Sequence, residues 1–334
     1  MVPTALNELL RSAARRVARE RWHHPIGMVL LGSAQSFAIV SYMSDSPTPR
    51  NILIQLDTDP HPSVFDRVVA IDSGVEELFS YGNVTLDQVQ GLVHGAMFTR
   101  GPKDLKHTAI FIGGSDVAKG EALLKTVRKT FFKPLTVSVM LDANGANTTA
   151  AAAVLRAARH LPLAQAKALV LGGTGPVGQR AARLLARQGA KVALASRSLD
   201  KATAAAKSIN EVLKNQSITP IAPGDDAALL TALEGVSLVI AAGAAGARLL
   251  PASVRKQAGH LKVIIDLNAV APAGIEGVDV MDKEKQVDGA IAYGAIGVGG
   301  TKMKIHKAAI ASLFEANDRV LDAEEIYELG VKLS

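Results

Sequence analysis

The sequence predicts an α/β protein of two α/β domains, the second a Rossmann-type, doubly wound parallel sheet. Three observations carry this. Short apolar runs alternate with helical segments along most of the chain, the pattern of parallel strands joined by helical crossovers. One run, residues 167–171, is followed at once by a glycine-rich turn and then a helix. Aromatic residues are only 4% of the chain, while hydrophobic residues make up 48% and glycines number 29. That composition suits close-packed helices on a sheet better than an aromatic-rich sandwich.

The first domain is expected over residues 51–150. Residues 51–56 (NILIQL) read as a buried strand, broken by the Asp and Pro residues of 57–62, after which Ser63 caps a helix. Residues 68–71 read as a second strand, and Thr85 caps a helix to about Val93. Further strands are expected at 107–112 and 135–141, with a helix over 116–131 between them and an Ala-rich helix over 149–160 after them. The second domain, residues 151–302, has expected strands at 167–171, 191–195, 237–241, 263–267 and 289–293. Residues 301–313 read as a helix and 322–332 as a tail helix capped by Asp322, so that 303–334 return to the first domain.

Residues 1–50 read as an extension outside the folded core. An Arg-rich stretch over 5–22 precedes an apolar run over 26–42, an order shared by secretory signals and transit peptides. The run is too short and too polar for a stable membrane span, and Met43 offers a second start just before the first strand. A cytoplasmic enzyme is the expectation. The net charge of +6 comes from scattered Lys and Arg, without a basic stretch interleaved with stacking aromatics. This argues against nucleic acid as partner and for an anionic small molecule. The absence of Cys excludes disulfides, thiolate metal sites and a Cys nucleophile. The eight His residues show no ligand spacing, so no metal is expected.

The sharpest motif is Gly173-Thr174-Gly175-Pro176-Val177-Gly178. Its glycines have the G-x-G-x-x-G spacing that gives a tight turn, backbone access to a pyrophosphate and close helix–strand packing. The helix that follows offers free N–H groups and a partial positive charge. The next strand ends in Ser196-Arg197-Ser198, without the acid that would hold a ribose 2′-hydroxyl. Arg and two hydroxyls suit a 2′-phosphate, so NADP is favoured, with NAD possible. Lys201 either assists or belongs to a solvated helix face. Ala242 and Gly243, after the strand at 237–241, complete the expected cofactor-binding set.

With these residues in view, the chain resembles the NAD(P)-dependent methylene-tetrahydromethanopterin dehydrogenases. The matching stretches include ILIQLDTDPHPSVFD (52–66), TAIFIGGSD (108–116), MLDANGANTTAAA (140–152), GGTGPVGQRAA (172–182) and YGAIGVGGTKMKIHKA (293–308), and they span about residues 51–334. The resemblance implies two α/β domains with a cleft between them, a homotrimer, and oxidation of methylene-tetrahydromethanopterin to the methenyl form with hydride passing to NAD(P). It also implies that the active-site Phe, Thr, Lys and His are Phe65, Thr149, Lys302 and His306.

The residues make chemical sense of this in part. Thr149 begins a helix, where its hydroxyl holds a pterin edge or is a plain N-cap. Phe65 contacts the flat pterin or belongs to the core. Lys302 and His306, four apart, share one helix face after the glycines at 297–300, read as a loop. Hydride transfer needs no strong base, so both are assigned to orientation and electrostatics. Asp57, Asp59, Asp142 and Asn147 lie at strand ends facing the expected cleft and either bind the pterin or form turns. Methylene-tetrahydrofolate shares the reactive centre and is the first alternative substrate. A shikimate-type dehydrogenase would need a Lys/Asp pair that residues 97–149 do not clearly show, and a non-catalytic NADP-binding sensor is the alternative outside enzymology.

Overall fold

A computed structural model describes residues 48–334. The expected extension over 1–50 therefore lies, but for its last three residues, outside the described residues. From Arg50 to Ser334 the chain packs as one unit. It opens with β1 (Ile52–Asp57), α1 (Val64–Ile71), β2 (Glu77–Tyr81), α2 (Val89–Phe98), β3 (Thr108–Gly113), α3 (Val117–Thr130), β4 (Ser138–Leu141) and α4 (Ala146–Ala158). It continues with β5 (Lys167–Leu171), α5 (Pro176–Arg187), β6 (Lys191–Ala195), α6 (Leu199–Leu213), β7 (Ile218–Ile221), α7 (Asp226–Ala232), β8 (Leu238–Ala241), α8 (Ala252–Arg255) and β9 (Val263–Asp266). The hairpin β10 (Lys283–Val287) and β11 (Ala290–Tyr293) leads to α9 (Ala295–Ser312), β12 (Val320–Leu321) and α10 (Ala323–Lys332).

Two sheets result. The first has the order β2-β1-β3-β4-β12, parallel throughout. The second has the order β7-β6-β5-β8-β9-β11-β10, parallel except for the antiparallel edge strand β10. Strand order reverses between β1 and β3 in one sheet and between β5 and β8 in the other. Ligands of open α/β sheets bind beyond the carboxyl ends of the strands at such points.

Helix α4 joins the two sheets. Ala150, Ala151, Ala152 and Ala153 are all fully buried, and their small side chains let α5, α9 and α10 approach its backbone closely. One apolar cluster runs from Leu53, Phe111 and Met140 of the first sheet through α4 to Val170, Leu194 and Ile240 of the second. The C-terminal segment adds β12 beside β4, and α10 packs on α4. Asp322 caps α10 in a reciprocal capping box with Glu325.

Two expectations are corrected. Residues 68–71 are the last turns of α1, not a strand. The β-branched residues there suggested a strand, but Val64, Val68 and Ile71 recur at helical spacing, and the Ser63 hydroxyl accepts from Asp66 N at 3.2 Å to start the helix. Residues 297–300 are not a loop but the first turns of α9. Gly297 packs its bare α-carbon on the backbone of Asp282, where a side chain would collide. Glycine there serves helix packing. Strands β2, β7, β10 and β12 were not expected; each lies at or next to a sheet edge and lacks a long apolar run.

Candidate active site

The glycine turn between β5 and α5 is built around close contacts. Gly172 takes φ +67°, and a β-carbon on it would lie 2.5 Å from the α-carbon of Gly243 in the loop after β8. A β-carbon on Gly178 would lie 2.7 Å from Gly172 O and 2.8 Å from the Gly173 α-carbon. Side chains at these positions would fill the turn and push α5 from β5. Gly173 N donates to Ala195 O at 2.8 Å, which ties the turn to the end of β6. Gly175 is the N-cap and Pro176 opens the helix, whose first bond is Gln179 N to Gly175 O. The amides of Val177 and Gly178 precede that bond and suit an anion.

Beyond β6, Ser196 Oγ lies 3.4 Å from both Thr174 Oγ1 and Ser198 N. Ser198 Oγ caps α6 by accepting from Lys201 N at 3.3 Å. Arg197 and Lys201 are exposed and form no ion pair among the described residues. Ala242 and Gly243 stand across the switch point from the turn. The set fits a dinucleotide: a cradle only glycine allows, a helix N-terminus and an exposed Arg without a competing acid.

A second cluster gathers three helices at the carboxyl end of the first sheet. Lys302 and His306 come from α9, Phe65 from α1 and Thr149 from α4. Lys302 Nζ is 5.2 Å from the Phe65 ring centre. His306 is wholly buried, its ring stacked on Phe111 at 5.9 Å and tilted against Phe65 at 6.2 Å. Burial pushes the His306 imidazole down to about 4 and outweighs the opposite pull of Asp66, so the ring is neutral around pH 7. Phe65 is 50% exposed, which places it outside the core. Gly145, with φ +58°, leaves its side-chain space to Lys302; a β-carbon there would collide with Nζ and lie 3.8 Å from Thr149 Oγ1. The Lys302 ammonium and Thr149 hydroxyl thus border the same glycine.

Thr149 is not the helix cap. The helix starts three residues earlier, and Asp142 caps it: Oδ1 accepts from Asn147 N at 2.9 Å and Thr148 N at 3.0 Å, and Oδ2 from Thr148 Oγ1 at 2.6 Å. Burial nonetheless pushes the Asp142 carboxyl up to about 6. Asn147 is also committed, donating to Leu141 O and Asp322 Oδ1 while its carbonyl accepts from Arg180 of α5. Asp57 accepts from Asp59 N at 2.9 Å and Ser63 N at 3.1 Å, and Asp59 accepts from Ser115 N and Oγ. All four side chains lie at the carboxyl end of the first sheet, and each is already engaged by protein groups, Asp57 and Asp142 by their own loops and Asp59 and Asn147 by other segments. Sequence reasoning singled out neither Asp66 nor Phe111, although Asp66 follows Phe65 directly.

The Arg180–Asn147 bond sets the first turn of α5, and with it the glycine turn, against the first turn of α4 that carries Thr149. Val177 packs on the apolar clusters of both regions. Among the described residues no group of three His, Asp or Glu is placed to hold a metal ion, and no helix is long and apolar enough to cross a membrane.

Comparison with known proteins gives this arrangement a family. A profile described as the N-terminal part of methylene-tetrahydromethanopterin dehydrogenase matches residues 64–144. The NAD(P)-dependent methylenetetrahydromethanopterin dehydrogenase of Methylorubrum extorquens is 31% identical over 85% of this chain and 99% of its own length. The chain belongs to this family. The bifunctional protein MdtA of the same organism is 47% identical over the same shares. Among solved structures, quinate dehydrogenase from Corynebacterium glutamicum in complex with NAD aligns at 14% identity and a TM-score of 0.43, covering 85% of this chain and 99% of its own. The MdtA match spans 287 residues.

Proposed function

We propose that this chain oxidises methylene-tetrahydromethanopterin to the methenyl form and passes hydride to NADP, with NAD as a second acceptor. The observation that carries the reading is the meeting of Phe65, Thr149, Lys302 and His306, brought from α1, α4 and α9 to one place around Gly145 and His306. A half-exposed aromatic ring suits a flat pterin, and the ammonium and hydroxyl beside Gly145 suit its polar edge. The bound nicotinamide supplies the hydride acceptor. The protein holds donor and acceptor together and keeps water out. Gly173, Thr174, Gly175, Pro176, Val177 and Gly178 would hold the pyrophosphate with Ala242 and Gly243, and Ser196, Arg197, Ser198 and Lys201 the 2′-phosphate. Residues 51–150 with 303–334 would form the pterin side and 151–302 the nucleotide side, in an enzyme of the cytoplasm.

The test is NADPH formation with methylene-tetrahydromethanopterin, compared with methylene-tetrahydrofolate and with NAD. Faster turnover of the folate would transfer the assignment to that pterin, and no hydride transfer from either would refute it. We further propose that the enzyme assembles as a homotrimer. Its support is the stripe Val64, Val68 and Ile71 on α1, each more than half exposed although apolar. Sedimentation of the protein and of Val68→Asp checks this: a trimer that dissociates in the variant is expected, and a monomeric parent refutes it.

A further inference from the structure

Asp66 stands where the charges of the second cluster meet. It follows Phe65 in the first turn of α1, and its side chain is 14% exposed. Oδ1 lies 4.0 Å from His306 Nε2. Oδ2 lies 3.6 Å from the position that a β-carbon on Gly113 would occupy, a position that Asp57 also borders. The charged and titratable groups that face Asp66 are Lys302 and His306 from α9, Asp142 from the end of β4 and Asp57 from the end of β1. His306 has neither ring nitrogen hydrogen-bonded, although both are buried. Buried polar atoms are rarely left without partners, and a ligand or water that completes the set is one explanation for an exception.

The three carboxyls here, Asp57 and Asp142 buried and Asp66 nearly so, differ in what they already hold. Asp142 accepts three hydrogen bonds from the start of α4, and Asp57 accepts two backbone N–H groups. Asp66 is tied to Ser63 through its backbone, its N–H donating to Ser63 Oγ at 3.2 Å, and no hydrogen bond among the described residues reaches its carboxyl oxygens. Burial pushes the Asp66 carboxyl up to about 6, against the pull of His306 and Lys302. The fold thus keeps a half-satisfied anion beside the residues assigned to the pterin.

We propose that the Asp66 carboxylate faces the methylene-bearing nitrogens of the bound pterin and stabilises the positive charge that forms there. The proposal rests on the pterin dehydrogenase reading above. In that reaction a C–H bond of the methylene carbon breaks, and both electrons leave with the hydrogen as hydride. NADP+ is reduced to NADPH, and the carbon becomes a methenyl cation whose charge is shared by its two flanking nitrogens. No proton moves. The Lys302 ammonium has the wrong sign to stabilise this cation, whereas an ionised Asp66 has the right one and offsets Lys302 in the ground state.

The test compares the parent with Asp66→Asn, which keeps the shape and removes the charge. Pterin affinity is read by fluorescence without nicotinamide, for the neutral methylene and the cationic methenyl forms separately, and kcat is read between pH 5 and 8. In the parent, kcat should fall as pH drops through about 6. In Asp66→Asn, kcat should be about 10²-fold lower, the acid fall should be gone, and affinity should be lost for the methenyl form far more than for the methylene form. Asp66→Glu should recover part of the rate. Equal loss of affinity for both forms, or an unchanged kcat, would overturn the proposal while leaving the dehydrogenase reading intact. An inactive parent would remove both.

Discussion

Lys302 holds its ammonium 5.2 Å from the centre of the Phe65 ring, with the side-chain space of Gly145 on its other side. A cation over an aromatic face is weakly attracted to it, by about 0.5–1 kcal/mol at an exposed site. The contact orients Lys302 without consuming its hydrogen-bond donors. It also fixes the half-exposed Phe65, since α1 packs on α9. Two residues assigned to the substrate therefore position one another before any substrate arrives.

Lys302→Ala should reduce pterin turnover by about ten- to several-hundredfold, because an orienting contact is worth a few kcal/mol when it acts in the transition state. NADP affinity, measured by fluorescence titration, should survive. His306→Asn should behave alike. Since burial holds the imidazole at about 4, neither parent nor variant should show a rate limb from His306 between pH 5 and 8. Normal turnover in both variants would count against the assignment.

Arg197→Glu should weaken NADP far more than NAD. Arg197 is exposed at the end of β6, beside Ser196 and Ser198, and the variant sets a carboxylate against the 2′-phosphate. Dissociation constants for the two cofactors decide it, and an equal loss for both would move the 2′-phosphate elsewhere.

Stability should carry the signature of the buried charges. Asp66 is raised from 3.8 to about 6, so between these values the native state holds more protons than the unfolded chain, and stability falls as pH rises through the window. His306 is lowered from 6.5 to about 4, so the unfolded chain takes up the proton first, and stability falls as pH drops through its window. The two slopes oppose each other. Asp66→Asn removes the first and should be more stable than the parent by up to about 3 kcal/mol at pH 7.5, with the gain vanishing towards pH 4. Urea midpoints at the two pH values test this; a gain that is larger in acid would contradict the cause.

Much of the nucleotide site was legible because its signal is local. The strand, glycine spacing and helix at 167–187 specify one another over twenty residues, and the structure shows why glycine is needed at 178. The second cluster was legible only in its members. Nothing near Phe65 in sequence shows that His306 packs against it and stacks in turn on Phe111, because these contacts join α1, β3 and α9. Asp66 was missed for the same reason: its burial and its facing charges come from distant segments. The misread strand at 68–71 shows the limit of local propensity, since β-branched residues sit in a helix when their spacing and the Ser63 cap favour one. Edge strands β10 and β12 left no apolar run to read, the former having only its last residue partly buried.

The glycines of α9 separate packing from ligand access. Gly297 has no room for a side chain because the backbone of Asp282 lies against it. At Gly299 and Gly300 a β-carbon would meet nothing within 4 Å. Glycine inside a helix costs about 1 kcal/mol relative to alanine, so two glycines within one turn before Lys302 and about two turns before His306 cost stability without serving protein packing. Gly299→Ala, on the face of α9 that carries Lys302 and His306, should therefore raise stability by about 0.5–1 kcal/mol in urea unfolding. If the pterin lies over this turn, the added methyl should also raise KM for the pterin and leave NADP affinity unchanged. A more stable variant with the parent's KM would show that the pterin does not approach α9 at this turn, and Lys302 would then reach its substrate from the Gly145 side.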